Sequence, residues 1–184
     1  MRNVVACVLL AIVLSGCGIL SREPYHKVNY YDLSFPQTKH EIGDMRISVS
    51  GIEADRPYSN KMVFRVSENR LEMDDFNCWI CSPSDLIGKY FIFALENSAK
   101  DGAKSCSLSA EILQMEADLD KSSVKLILQV SIRDSSSGDL LLDKTYSQVI
   151  PVEKVTGESY AKGVETAMDK TCVELSQDIQ KIKK

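Results

Sequence analysis

The chain has 184 residues, 22 basic and 26 acidic side chains and a net charge of −4. Hydrophobic residues make up 44% of it, so it is long and apolar enough to bury one sizeable core. The acidic balance leaves no basic face, which argues against nucleic acid as a partner and gives anionic headgroups nothing to attract.

The first seventeen residues carry the strongest signal. Arg2 is followed by an uncharged apolar run from Val4 to Leu14, and then by Leu14-Ser15-Gly16-Cys17. The run is about half the roughly 20 residues that a spanning helix needs, so it reads as a secretory signal peptide over 1–16. Residues 17–27 are polar, contain Pro24, and read as a tether. Residues 28–184 read as a single α+β domain.

Within that domain Val28 to Leu33 is β-rich and predicts a first strand. Met45, Ile47 and Val49 alternate with polar residues and predict a second. Asp55 to Asn60 is a loop, Met62 to Val66 a third strand, and Arg70 to Met73 a short fourth. Ser82-Pro83-Ser84-Asp85 is a capping box with proline at the first helical position. Leu86, Ile87, Tyr90, Phe91, Ala94 and Leu95 then fall on one helical face. Cys106, Leu108, Ala110 and Ile112 alternate, after which the apolar parity switches to Leu113, Met115, Ala117 and Leu119. That switch predicts a β-bulge near Ile112. Val124 to Ile132 is a clean period-2 stripe, and Leu140 to Ile150 is the last strand. Thr156 to Ile182 is a long amphipathic helix with Tyr160, Val164, Met168, Cys172, Leu175 and Ile179 on its apolar stripe. The order β-β-β-β-α-β-β-β-α predicts a mixed, mostly antiparallel sheet of about seven strands with two helices on one face.

Cysteine usage fits an exported protein. Beyond Cys7 and Cys17, four remain: Cys78, Cys81, Cys106 and Cys172. An even count in an oxidising compartment predicts two disulfides. The topology favours Cys106–Cys172 and leaves Cys78–Cys81 as a local bridge or a pair of thiols. The bland alternative makes Cys172 a small buried hydrophobe. Cys78-x-x-Cys81 also admits a redox reading, because it lies just before a helix N-terminus. A zinc site would need all four cysteines, since His26 and His40 are remote in sequence, so no metal and no cofactor is expected. No catalytic constellation appears: there is no G-x-S-x-G, no phosphate-cradling glycine loop and no H-E-x-x-H. Asp74-Asp75 reads as a solvated turn. Phe76 and Trp79 flank it, either plugging the end of the core or forming an exposed docking patch.

These residues together resemble a known family. Leu14-Ser15-Gly16-Cys17 resembles the lipobox of bacterial lipoproteins, in which the cysteine becomes the acylated first residue. Tyr30-Tyr31-Asp32-Leu33, Ile47-Ser48-Val49, a Tyr58 loop leading into Val63-Phe64-Arg65, then Leu71, and Trp79 ahead of Pro83 follow in the order seen in the ABC-type transport auxiliary lipoproteins of the paraquat-inducible protein C type. The Cys78-x-x-Cys81 pair and a shortened loop before Val63 depart from that pattern. The resemblance implies a non-enzymatic accessory lipoprotein of an ABC/MCE-type lipid transport system. It would be anchored to a membrane through lipid on Cys17, with an MCE-domain protein and an ABC permease complex as partners. Gly18 after the cysteine implies the outer membrane, facing the periplasm. The alternatives are a lipoprotein regulator of an envelope enzyme and a periplasmic thiol-redox protein using Cys78 and Cys81.

Overall fold

The computed structural model describes residues 26–36, 38–95 and 102–182. The predicted signal peptide and Cys17 lie outside the described residues. The elements are β1 (Asn29–Tyr31), β2 (Met45–Ala54), β3 (Lys61–Ser67), β4 (Arg70–Trp79), α1 (Pro83–Leu95), β5 (Lys104–Asp118), β6 (Ser123–Asp134), β7 (Leu140–Pro151) and α2 (Gly157–Lys181). This is the α+β order that the sequence predicts. β2 and β4 are both longer than their apolar patterns indicate, because β2 pairs with β5 as far as Ala54 and β1 pairs with the last three residues of β4.

β5 is the spine of a seven-stranded mixed sheet. Along one edge it pairs antiparallel with β6, which pairs antiparallel with β7. Along the other edge two strands follow end to end. β2 runs parallel beside Lys104 to Ile112, and β3 then meets Ala117 and Asp118. β3 and β4 form an antiparallel hairpin, and β4 carries β1 on its outer edge. The predicted bulge is present as a register shift between Ile112 and Gln114. It turns Leu113 outward and returns Met115 and Ala117 to the core.

Val124, Leu126, Leu128, Val130 and Ile132 of β6 are all fully buried under the two helices. Each buried aliphatic of this kind contributes about 2 kcal/mol. The opposite face of the sheet carries Ser48, Ser50, Ser109, Gln129 and Ser131 and stays polar. α1 starts as the sequence predicts: the Ser82 hydroxyl accepts from the Asp85 N–H at 3.1 Å and donates to its carboxylate at 2.6 Å. α2 starts with Thr156 and Ser159 capping each other. The helices meet where the Tyr90 hydroxyl donates to Asp169 at 2.5 Å. The loop from β1 to β2 crosses both, held by the Ser34 N–H on Glu165 at 2.6 Å and the His40 N–H on the Ala94 carbonyl at 2.8 Å. Among the described residues no helix is long and apolar enough to cross a membrane.

α2 lies unusually close to β6 at Gly163, where an added Cβ would stand 2.6 Å from a Val124 methyl. Alanine normally stabilises an exposed helix interior relative to glycine by about 1 kcal/mol. Here Gly163→Ala reverses that sign and costs about 1–3 kcal/mol through overpacking, read as a lowered urea midpoint.

Farther along α2, Asp178 accepts from Lys144 at 2.6 Å, Lys181 at 2.9 Å and the Tyr146 hydroxyl at 3.1 Å. These bonds, with Lys144 first, lower its carboxyl from 3.8 to about 2. A depressed carboxyl stabilises the fold above its unfolded pKa and stops doing so as pH falls through the folded one. Stability anchored at Asp178 is therefore complete above pH 3.8 and lost towards pH 2. In Asp178→Asn, urea midpoints measured from pH 5 down to 2 fall less steeply than in the parent chain (a window of roughly the Asp range).

Candidate docking surface

The end of the sheet where the described chain begins holds the most developed surface feature. Asp74 makes it by turning the β4 backbone: its carboxylate accepts from the Phe76 N–H at 2.7 Å, the Asn77 N–H at 3.1 Å and the Asn77 side chain at 2.7 Å. Asn77 in turn accepts from Asn29 at 3.2 Å and from the Tyr31 hydroxyl at 3.0 Å, which holds β1 in place. Asp75 pairs with Lys61. The adjacent carboxylates that the sequence presents as a solvated turn are thus one backbone clamp and one surface ion pair, the latter worth little.

The two flanking aromatics face in opposite directions. Phe76 is 44% exposed, and the His26 ring packs on it with centroids 4.9 Å apart. Trp79 is 1% exposed and lies edge-on to Tyr160 at 5.3 Å. Of the two docking candidates, Phe76 is on the surface, whereas Trp79 takes the core-plug reading.

Beside Phe76 an open groove of about 470 Å³ runs between the β3–β4 arm and the start of α2. Its apolar lining comes from Phe64, Met73, Phe76, Leu119 and Val155, with Glu72, Asp74 and Asp75 on one wall. That volume lies within the range of ligand sites. Gly157 closes one end: an added Cβ there would sit 2.6 Å from the Tyr31 ring, so glycine lets α2 and β1 meet. Met73, Leu119 and Val155 are not marked by any local motif. The exposed Leu119 is the last apolar residue of the second parity of β5, which is the one trace the sequence offers.

The arm is bolted to β5 beneath the groove. Glu116 is 1% exposed and receives a bidentate pair from Arg65, at 2.5 Å from Nε and 3.0 Å from Nη2. Arg65 also donates to the Glu68 carbonyl at 2.6 Å, and Gln114 donates to Glu116. The fully buried Tyr160 hydroxyl donates to the Met115 carbonyl at 2.5 Å. Burial, then Tyr58 and Glu116, hold that hydroxyl well above its ordinary titration range. Tyr58 is raised by burial and, next, by Glu116.

The four described cysteines are all free thiols: Cys106 and Cys172 are not bridged, and Cys78 and Cys81 stand as a pair of thiols. Cys172 lies on the apolar stripe of α2 as a small buried hydrophobe. It is fully buried, and burial, then Asp169, push its thiol up to about 12. Burial likewise raises the Cys106 thiol. Cys78 is locked in the ladder between Tyr30 and Lys61, and the Trp79 and Ile80 N–H groups are tied to the carbonyls of Asn60 and Tyr31. Cys81 sits half-buried beyond the following bend, 3.7 Å from the Lys89 amine. Among the described residues no group of three metal-ligating side chains is present.

No family model matches the chain, and no curated protein does. Among the solved structures similar to it are two that share its fold over most of their length. One is a Xanthomonas campestris protein of family DUF330, at TM-score 0.70 and 18% identity, covering 80% of this chain and 92% of that one. The other is an uncharacterized protein at TM-score 0.68 and 12% identity, covering 84% of this chain and 99% of that one. The likeness is one of fold.

The Arg65–Glu116 pair yields a stability prediction. Arg65→Met strands a buried carboxylate and costs about 3 kcal/mol in urea unfolding, whereas the double variant Arg65→Met/Glu116→Leu recovers much of that loss.

Proposed function

We propose that the protein is an envelope-anchored accessory lipoprotein of an ABC/MCE-type lipid transport system, acting as a docking component without catalysis. The observation that carries this reading is one of order along the chain. A lipobox-like Leu14-Ser15-Gly16-Cys17 precedes a short tether, and the first described residue after it, His26, packs on Phe76 at the mouth of the apolar groove. Residues 18–25 span at most about 30 Å when fully extended. Lipid on Cys17 therefore keeps the groove end of the domain near the membrane. Two or more acyl chains make such anchoring stable. The motif order from Tyr30 to Pro83 supports the family resemblance, and an apolar groove beside the anchor suits a partner that approaches along the membrane.

The test is Cys17→Ser in the native envelope. The parent protein floats with membranes, carries a diacylated N-terminal peptide by mass spectrometry, and brings down an MCE-domain protein after crosslinking. The variant loses the lipid and leaves the membrane fraction. A variant that stays membrane-bound and functional, or a lipidated parent that recovers no MCE or ABC component, overturns the reading.

A further inference from the structure

We infer that the groove takes a cationic segment of a protein partner, one that lays apolar side chains on its floor and lysine or arginine on its acidic wall. The inference deepens the docking reading above and rests on it in taking the occupant to be a protein. The floor is apolar, with Phe64, Met73, Phe76, Leu119 and Val155 around a volume of about 470 Å³. Met73, Phe76 and Leu119 are all exposed, so the floor is open to an incoming chain. Exposed apolar side chains gathered in this way, with a polar rim, mark a binding surface.

The charge of the wall says which occupant. Glu72, Asp74 and Asp75 line the groove, and its described lining holds no lysine, arginine or histidine. Asp74 is held by the Phe76 and Asn77 N–H groups and the Asn77 side chain, which fixes one negative charge in the wall. Glu72 and Asp75 reach to Arg70 and Lys61, which are not part of the lining. These carboxylates are 51% and 69% exposed. Exposed pairs of this kind are worth little, so a partner's cation can take the place of either. Among the chain neighbours of the lining residues, Asp118, Asp120 and Glu158 are acidic and Arg65 and Lys154 basic. Arg65 is already taken by the buried Glu116.

The same wall disfavours the other occupants. A second copy brings a chain of net charge −4 with the same three carboxylates. A lipid surface with anionic headgroups brings phosphates. Each sets like charge against the wall, whereas a cationic segment is steered towards it. The attraction acts between exposed charges, so it fades as salt rises.

The experiment uses the full chain, isolated from the envelope in dodecyl maltoside micelles, with isotope-labelled methionine methyls read by NMR. Met73 is 53% exposed, whereas Met45, Met62, Met115 and Met168 are buried, so one methyl reads the groove and the others read the fold. Met73→Leu assigns the signal. The probe is a synthetic amphipathic peptide of leucine and lysine, and its control carries glutamate in place of lysine. The expected result is a saturating shift of the Met73 methyl with the lysine peptide alone. In Glu72→Gln/Asp75→Asn the dissociation constant rises by about ten-fold while the buried methyls stay in place. A silent Met73, an equal shift with both peptides, or equal affinity in the variant overturns the inference. So does a Met73 shift driven by protein concentration alone, which makes a second copy the occupant. A larger shift on phosphatidylglycerol bicelles without peptide makes the occupant a lipid surface and overturns it too. Membrane fractionation of Cys17→Ser and recovery of an MCE component report the lipoprotein reading by themselves, so its failure and a silent Met73 are distinct.

Discussion

Two ladder pairs, Phe64 with Ala117 and Arg65 with Asp118, and the Leu119 N–H on the Arg65 carbonyl join the backbone of the β3–β4 arm to the spine of the sheet. A two-residue parallel ladder is too small to hold a hairpin by itself. The Arg65–Glu116 fork and the Tyr160 hydroxyl on the Met115 carbonyl reinforce it from both faces. The Tyr160 bond is buried and Glu116 is 1% exposed, so leaving either the carboxylate or the hydroxyl unpaired costs far more than the pair gains, and the junction has one arrangement rather than several. The position of Phe76, the depth of the groove and the placement of β1 all follow from that junction.

The same junction shows why α2 matters to a surface it barely lines. Tyr160 is part of its apolar stripe, yet it also stacks on Trp79 and Phe64 and bonds to β5. The first turn of the helix, with Gly157 against Tyr31, closes one end of the groove. The core therefore fixes the groove end directly, through Gly157 and Tyr160 in the first two turns of α2.

Much of the architecture was legible in the chain. Val124 to Ile132 alternates without a fault and becomes the buried stripe of β6; the parity switch after Ile112 becomes a bulge. Ser82 and Thr156 begin their helices through side chains within three residues of the cap. The candidate surface was legible only in Phe76. Trp79, three residues away, points into the core, where it meets Tyr160 of α2, a contact between residues far apart in the chain that no local pattern reveals. Met73 is in β4, Leu119 in the turn after β5 and Val155 in the loop before α2, and no local pattern marks them as neighbours.

What the sequence by itself determined is periodicity and punctuation: which stretches are strands, which are helices, and where each begins. These follow from interactions within a few residues, the side-chain period and the caps. Only the tertiary structure decided which strands share an edge of β5, and at what level α2 passes β5. It also brought the β3–β4 arm and the start of α2 together as the two walls of one groove. The physical reason is that levels and edges are set by the packing of distant segments, and one helical turn of displacement decides which side chains meet.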